Sequence, residues 1–168
     1  MPFTRLNDGT ELWLRPIRPG DKAGIEGVLA RMSLETVRRR YLATKTRFSS
    51  AELEYLTEVD GIDHVAIVAI DVTTGDIEGV ARYVRLLDEP ATAEWAIVIA
   101  DRLQHRGLGK QLMELLAQSA REHGIEHFTA TMLADNRAAA QLLHHVAPIL
   151  EHSATSSGVR TLTALLAA

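Results

Sequence analysis

The sequence predicts an α/β (α+β) domain with a mixed, mostly antiparallel central sheet of about six to seven strands flanked by about four to five helices. Three observations predict it. Strand-like and helix-like periods follow one another in the order β-α-α-(α)-β-β-β-α-β-α-β-β. The three consecutive strands in the middle are separated only by short turn signals, which favours an antiparallel meander. The loop Gln104-His105-Arg106-Gly107-Leu108-Gly109-Lys110 joins an apolar strand to an amphipathic helix.

Asn7-Asp8-Gly9-Thr10 is a turn ahead of a strand from Glu11 to Ile17, in which Leu12 and Leu14 alternate with Trp13 and Arg15 before Pro16 and Pro19 limit it. Asp21 to Met32 carries Ile25, Val28, Leu29 and Met32 at helical spacing, weakened by Gly24 and Gly27. Ser33 caps a second helix whose Leu34, Val37 and Tyr41 share a face opposite part of Arg38-Arg39-Arg40, a run that reads as a solvated face with a substrate-facing role as the alternative. Ser49 and Glu52 form a capping box ahead of Leu53, Leu56 and Val59. Val65 to Ile70 and Ile77 to Leu87 read as a hairpin around Thr73-Thr74-Gly75-Asp76, and Asp88-Glu89-Pro90 turns the chain into a strand from Glu94 to Ala100. The helix from Leu108 to His123 places Leu108, Leu112, Leu115, Leu116 and Ser119 on one side and stops at Gly124, where a left-handed cap is wanted. Phe128 to Leu133 is a short strand, Asp135 caps a helix from Asn136 to about His145, and Ile149 to Ser153 with Val159 to Leu166 form a last pair of strands.

The glycine loop reads as a diphosphate cradle, because Gly107 and Gly109 let the backbone approach a ligand and the helix from Leu108 points its free amides and positive dipole end at it. A phosphate loop of the ATPase kind ending at Gly109-Lys110 would need glycine at 104 and Ser or Thr at 111, where Gln104 and Gln111 stand. A dinucleotide fingerprint from Gly107 would need a small residue at 112, where Leu112 stands. What is left is Gln/Arg-x-x-Gly-x-Gly, which resembles the acyl-CoA pyrophosphate loop of the GCN5-related N-acetyltransferases, the GNAT superfamily. The order of elements resembles that fold over nearly the whole chain, residues 1–168, taken as one domain.

The resemblance implies acetyl-CoA as co-substrate, its diphosphate held by Gln104, His105, Arg106, Gly107, Leu108, Gly109 and Lys110, with Asn136 a further contact. From residue type alone Asn136 is equally a helix cap. It implies that Ile97, Val98 and Ile99, which as an apolar run would otherwise be core, pair with the pantetheine arm through their backbone, in a V opened by a bulge between that strand and Phe128 to Leu133. Ala93-Glu94-Trp95-Ala96 is similar to the segment carrying the catalytic glutamate in bacterial protein-lysine acetyltransferases, as are Leu14-Arg15-Pro16-Ile17-Arg18-Pro19 and the stretches Met32-Ser33-Leu34-Glu35 and Arg40-Tyr41-Leu42. An ammonium must lose a proton before it attacks a thioester, and a glutamate partly desolvated at the head of an apolar strand suits that task, so Glu94 is the expected general base. A solvated charge or an ion pair with Arg82 is the plainer reading of the same residue. Leu143 and Ala147-Pro148 stand where many relatives place a tyrosine general acid and a Gly-Phe pair; the protein-lysine branch commonly lacks this tyrosine as well. His144 and His145 are the alternative proton donors.

The expected reaction is transfer of an acetyl group to a primary amine by direct attack in a ternary complex. A protein lysine is the first acceptor, a small-molecule amine the alternative, and an acyl-CoA-binding module without turnover the reading from a different class. The net charge of −4 gives no global attraction to nucleic acid. No cysteine is present, which removes thiolate metal sites and cysteine nucleophiles, and the seven histidines lack a metal-ligand spacing, so no metal is expected. No long apolar stretch follows the N-terminus, so the expectation is a cytoplasmic protein without a membrane partner, with a homodimer left open.

Overall fold

The computed structural model describes residues 3–154 and 157–166. Its sheet has eight strands in the order β1-β2-β3-β4-β5-β6-β8-β7, formed by Phe3–Arg5, Glu11–Pro16, His64–Asp71, Ile77–Arg85, Thr92–Ile99, His127–Leu133, Ile149–Ala154 and Val159–Leu165 for β1 to β8. Five α-helices accompany it: α1 Lys22–Arg31, α2 Leu34–Tyr41, α3 Ser50–Thr57, α4 Leu108–Glu122 and α5 Arg137–Val146. Every neighbouring pair of strands is antiparallel except β5 and β6. A parallel pair needs a long crossover, and α4 supplies it.

β3 explains why its sequence is a continuous apolar run rather than an alternating one. Val65, Ile67 and Ala69 enter the core that holds α4, and Ala66 and Val68 enter a second core with Ile25, Val28 and Leu29 of α1. Helices cover both faces, so both sets of side chains are buried. α4 anchors the first core through Leu108, Leu112, Met113 and Leu116, each with no exposed surface. Burying one such side chain stabilises the fold by about 1.5–3 kcal/mol, far more than helix propensity supplies.

Several boundaries depart from the sequence expectation, β5 among them, which begins at Thr92 rather than Glu94. β1 was not foreseen: its three residues are too few to show alternation, and Phe3, 70% exposed, gains its ring contact with Trp13 (6.2 Å) only once the strand pairs with β2. β4 ends at Arg85, and Leu87, 97% exposed, belongs to the turn. Asn136, not Asp135, caps α5, its Oδ1 accepting from the amide of Ala139 at 3.2 Å. The caps read at Ser33 and at Ser49 with Glu52 are present. The glycine that weakens α1 has a packing cause, because a Cβ at Gly24 would lie 2.7 Å from Ile77 Cδ1.

Candidate active site

The site begins where the sheet comes apart. β4 and β5 stay in register from Arg85↔Ala93 to Gly79↔Ile99, but β5 pairs with β6 only at Thr92↔His127, Ala93↔Phe128 and Glu94↔Thr129. Beyond Glu94 the strands diverge, β6 remaining with β8 as far as Leu133↔Val159. The wedge expected at this junction is therefore present, but the expected bulge is not: the β4–β5 register never shifts, and the split comes from the end of the parallel pairing. Backbone groups of Trp95–Ile99 that face β6 are left without a strand partner, a set of donors and acceptors open to an extended ligand.

A cleft of about 450 Å³ lies at this wedge. β5 contributes Ile97, Val98 and Ile99, the loop contributes Gln104, His105, Gly107, Gly109 and Lys110, and α5 contributes Asn136 and Leu142. α2 closes it with Thr36, Arg39 and Arg40. The loop is shaped by two left-handed residues, His105 at φ 60 and Gly107 at φ 91. The sequence marks Gly107 as open to close approach but not as left-handed, and a histidine gives no sign that it will adopt such a conformation. Gly107 is the N-cap of α4, and Gln111, donating to the Gly107 carbonyl at 3.3 Å, is the first amide to find an acceptor. The amides of Leu108, Gly109 and Lys110 precede it and have no partner in the helix, which with the helix dipole makes this end receptive to an anion.

The individual loop residues divide by task. Gln104 is a latch, its Nε2 donating to the Ile99 carbonyl (3.0 Å), Thr36 Oγ1 (3.1 Å) and Asp101 Oδ1 (3.3 Å). Asp101 also accepts from Thr36 Oγ1 (2.7 Å) and from the Ser33 amide (3.1 Å), which ties the start of α2 to the loop. Against the opposing effect of burial, the hydrogen bonds from Thr36 and Ser33 hold the Asp101 carboxyl below its usual range. Arg106 pairs with Asp8 of the β1–β2 turn, and Leu108 is fully buried in the core, so neither side chain lines the cleft. Lys110 is exposed at the cleft with no ion pair among the described residues. Gly109 is buried for a reason other than backbone freedom: a Cβ there would come within 3.1 Å of Ile99 Cδ1 and both Leu142 methyls.

Glu94 is exposed on β5 and does not line the cleft, so the partial desolvation expected of it is not supplied by the chain itself. Nor does it pair with Arg82, whose guanidinium donates to the Leu56 carbonyl at 3.2 Å and to His64 Nε2 at 3.0 Å. The expectation that Arg38-Arg39-Arg40 is a solvated face fails at its last member. Arg39 bonds Glu35 along α2, but Arg40 is partly buried with its guanidinium 4.8 Å from the centre of the Tyr41 ring, lining both the main cleft and a small cavity shared with Arg82. Burial pushes both guanidinium groups below the usual arginine range, Arg82 to about 10 with the Arg40 charge as its next cause.

Because arginine can only donate, His64 Nε2 must accept, and the ring is neutral. Burial first, then the Arg82 charge, lowers its pKa from 6.5 to about 4, with Asp60 opposing. Between those values the unfolded chain binds the extra proton, so stability rises with pH across the window and falls as pH drops through it. We expect about 1–2 kcal/mol to be lost between about pH 6.5 and about pH 4, the full linkage being discounted for partial exposure. Urea unfolding across that range checks it: His64→Gln should flatten this limb and leave the steeper loss at lower pH, where Asp60 and Asp71, both depressed below 3.8, take up protons.

At the other wall Asn136 does two things, capping α5 and lining the cleft. Leu143 is fully buried, so the tyrosine position faces the core here. His144 and His145 lie on the exposed side of α5, with His145 Nε2 2.7 Å from Glu114 Oε1, and neither lines the cleft. No helix among the described residues is long and apolar enough to cross a membrane.

The cleft thus lies where the sheet splits at its one parallel junction among the described strands, with a glycine loop and a helix N-terminus at the mouth of the split. Residues 34–146, more than half of the chain, match the acetyltransferase (GNAT) family, and the chain belongs to it. Acetyltransferase Pat of Mycolicibacterium smegmatis is 33% identical over 145 residues, 86% of this chain and 43% of that protein, so the chain spans less than half of that relative. Acetyltransferase PA5475 of Pseudomonas aeruginosa is 32% identical over 135 residues, 79% of this chain and 72% of that one. The crystal structure of the GNAT domain of S. lividans PAT is similar with a TM-score of 0.86 at 27% identity, covering 98% of this chain and 96% of that one.

Proposed function

We propose that the chain transfers an acetyl group from acetyl-CoA to a primary amine, most directly the side chain of a protein lysine, with Glu94 as the general base. The observation that carries the reading is the wedge: it runs from the open amides of Leu108, Gly109 and Lys110, along the unpaired edge of β5, to the strand end that bears Glu94. A diphosphate at the loop would meet those amides and Lys110, and a pantetheine arm would add to β5 as an extra strand. Gly107 keeps a side chain away from the diphosphate position, and Asn136 offers an amide nitrogen beside it.

Glu94 takes the ammonium proton, directly or through a water, and the freed amine attacks the thioester carbonyl carbon. The C–N bond forms, the negative charge on the carbonyl oxygen is met by an open backbone N–H of β5, and the C–S bond breaks. The nitrogen's second proton passes through water to the departing thiolate, since Leu143 offers no hydroxyl. An exposed carboxylate is adequate once the acceptor covers it, because docking removes the water that the free chain leaves there. A cytoplasmic location fits acetyl-CoA as the donor.

The test is turnover of acetyl-CoA with lysine peptides and with small amines, read as CoA thiol release and as N-acetyl product by mass spectrometry. Direct attack gives intersecting initial-rate lines, whereas parallel lines would point to an acyl-enzyme. The buried Leu143 favours one second reading, a binding module. It gains if no amine is acetylated while acetyl-CoA at about one hundred times its Kd still stabilises the chain by about 2.7 kcal/mol.

A further inference from the structure

The acetyl-transfer reading leaves one cluster of charge unused. Strand alternation puts Arg82 on the same face of β4 as Val80, and Glu94 on the same face of β5 as Val98, and both valines enter the core beneath α1, α2 and α3. With Arg82↔Ala96 and Val84↔Glu94 in register, Arg82 and Glu94 are diagonal neighbours on that face. Arg40 reaches over them from α2, within range of the Glu94 charge, and shares a small cavity with Arg82.

No carboxylate forms an ion pair with Arg40 or Arg82 among the described residues, although acids are close in sequence. Glu35 serves Arg39, Glu52 serves Lys45, Glu58 serves Lys22, and Asp60 accepts from the amides of Ile62, Asp63 and His64. Arg82, 6% exposed, spends its donors on a carbonyl and a neutral ring, which cancel none of its charge, and Arg40 has no hydrogen bond among the described residues. Two neighbouring cations drawn out of water, with neither ion-paired and only the exposed Glu94 carboxylate in range of Arg40, oppose folding, and they repel each other. An arrangement of this kind is relieved by an anion that arrives from outside.

Arg40 also lines the main cleft, but Arg82 does not, and the pair they form sits beside Glu94 rather than beside the phosphate-binding loop. Glu94 is five residues upstream of Ile99, about 17 Å along an extended strand, and the phosphate-binding amides lie beyond Ile99. The part of the donor that reaches Glu94 is the thioester, which is uncharged. We infer that Arg40 and Arg82 form a carboxylate-recognition site on the acceptor side of the wedge, so that the acceptor carries a carboxylate beside the amine that is acetylated. This rests on the amine acetyltransferase reading and names its acceptor class. The carboxylate can belong to an acidic residue next to a lysine or to the α-carboxyl group of a free amino acid.

The experiment uses the full chain and matched ligand pairs. One arm compares lysine peptides flanked by Asp or Glu with the same peptides carrying Asn or Gln, and the other compares free amino acids with their amides. In the arm that holds the source, the carboxylate member should lead by about tenfold or more in kcat/KM. Arg40→Gln should bring that ratio towards one and Arg40→Lys should keep part of it. Arg40 is chosen because removing Arg82 would also break its bonds to Leu56 and His64. A readout without turnover accompanies this, calorimetric binding of the N-acetylated products of each pair to the CoA-loaded chain. Turnover without preference in either arm overturns the carboxylate site and leaves the acetyltransferase reading standing. Preferential binding of acidic products without turnover does the reverse. An unchanged ratio in Arg40→Gln, or neither turnover nor preferential binding, overturns the site.

Discussion

Glu94→Gln is expected to lower kcat/KM for the amine by about 10²–10⁴-fold, the usual worth of a positioned general base. The substitution keeps the shape and polarity of the side chain and removes only its ability to take a proton. Because Glu94 is exposed and forms no ion pair among the described residues, its loss should change stability by no more than about 0.5 kcal/mol. Binding of acetyl-CoA should also persist, since Glu94 lies outside the cleft lining. The discriminating measurement is the rate profile from about pH 6 to about pH 9 with equal acetyl-CoA affinity verified for both proteins. Full activity of the glutamine variant across that range would remove Glu94 from the mechanism and return it to the reading of a solvated strand-end charge.

What the sequence disclosed here follows the range of the forces involved. Caps at Ser33 and Ser49, the stop at Gly124 and the apolar runs of β3 to β5 depend on neighbours within a few residues, and all were legible. The wedge was anticipated through the family resemblance, but its cause was not, because the end of a parallel ladder is set by where β6 leaves β5, a contact between residues far apart in sequence. The same distance hid Arg40. Three consecutive arginines read first as a water-facing stripe, with a substrate-facing role the alternative and none of the three singled out, and only the docking of α2 on β5 turns the last of them inward onto Tyr41 and towards Arg82. Gln104 was read as a ligand contact from its place in a motif. Its amide is spent largely within the chain, where it fastens α2 to the loop through Thr36 and Asp101.

The two loop glycines, read from sequence as equivalent, should separate under substitution. Gly107 has φ 91 with nothing within 4 Å of its Cβ position, so a side chain there has room but the wrong backbone. Gly107→Val should cost about 1–3 kcal/mol of stability, the range for forcing a side chain into a sparsely populated backbone region. Should the loop relax instead, the N-cap of α4 moves and the amides of Leu108, Gly109 and Lys110 turn away from a common point. Either way acetyl-CoA affinity should fall by about tenfold or more, measurable by calorimetry at a temperature where the variant is folded. Gly109→Ala is the contrast. Its Cβ would meet the ends of Ile99 and Leu142 at 3.1 Å, flexible groups that can retreat by a few tenths of an ångström, while helix propensity gains up to about 1 kcal/mol, so stability should stay near that of the parent. If Gly107→Val bound acetyl-CoA as tightly as Gly109→Ala, the left-handed cap would be irrelevant to the ligand, and the loop would be only a connection between β5 and α4.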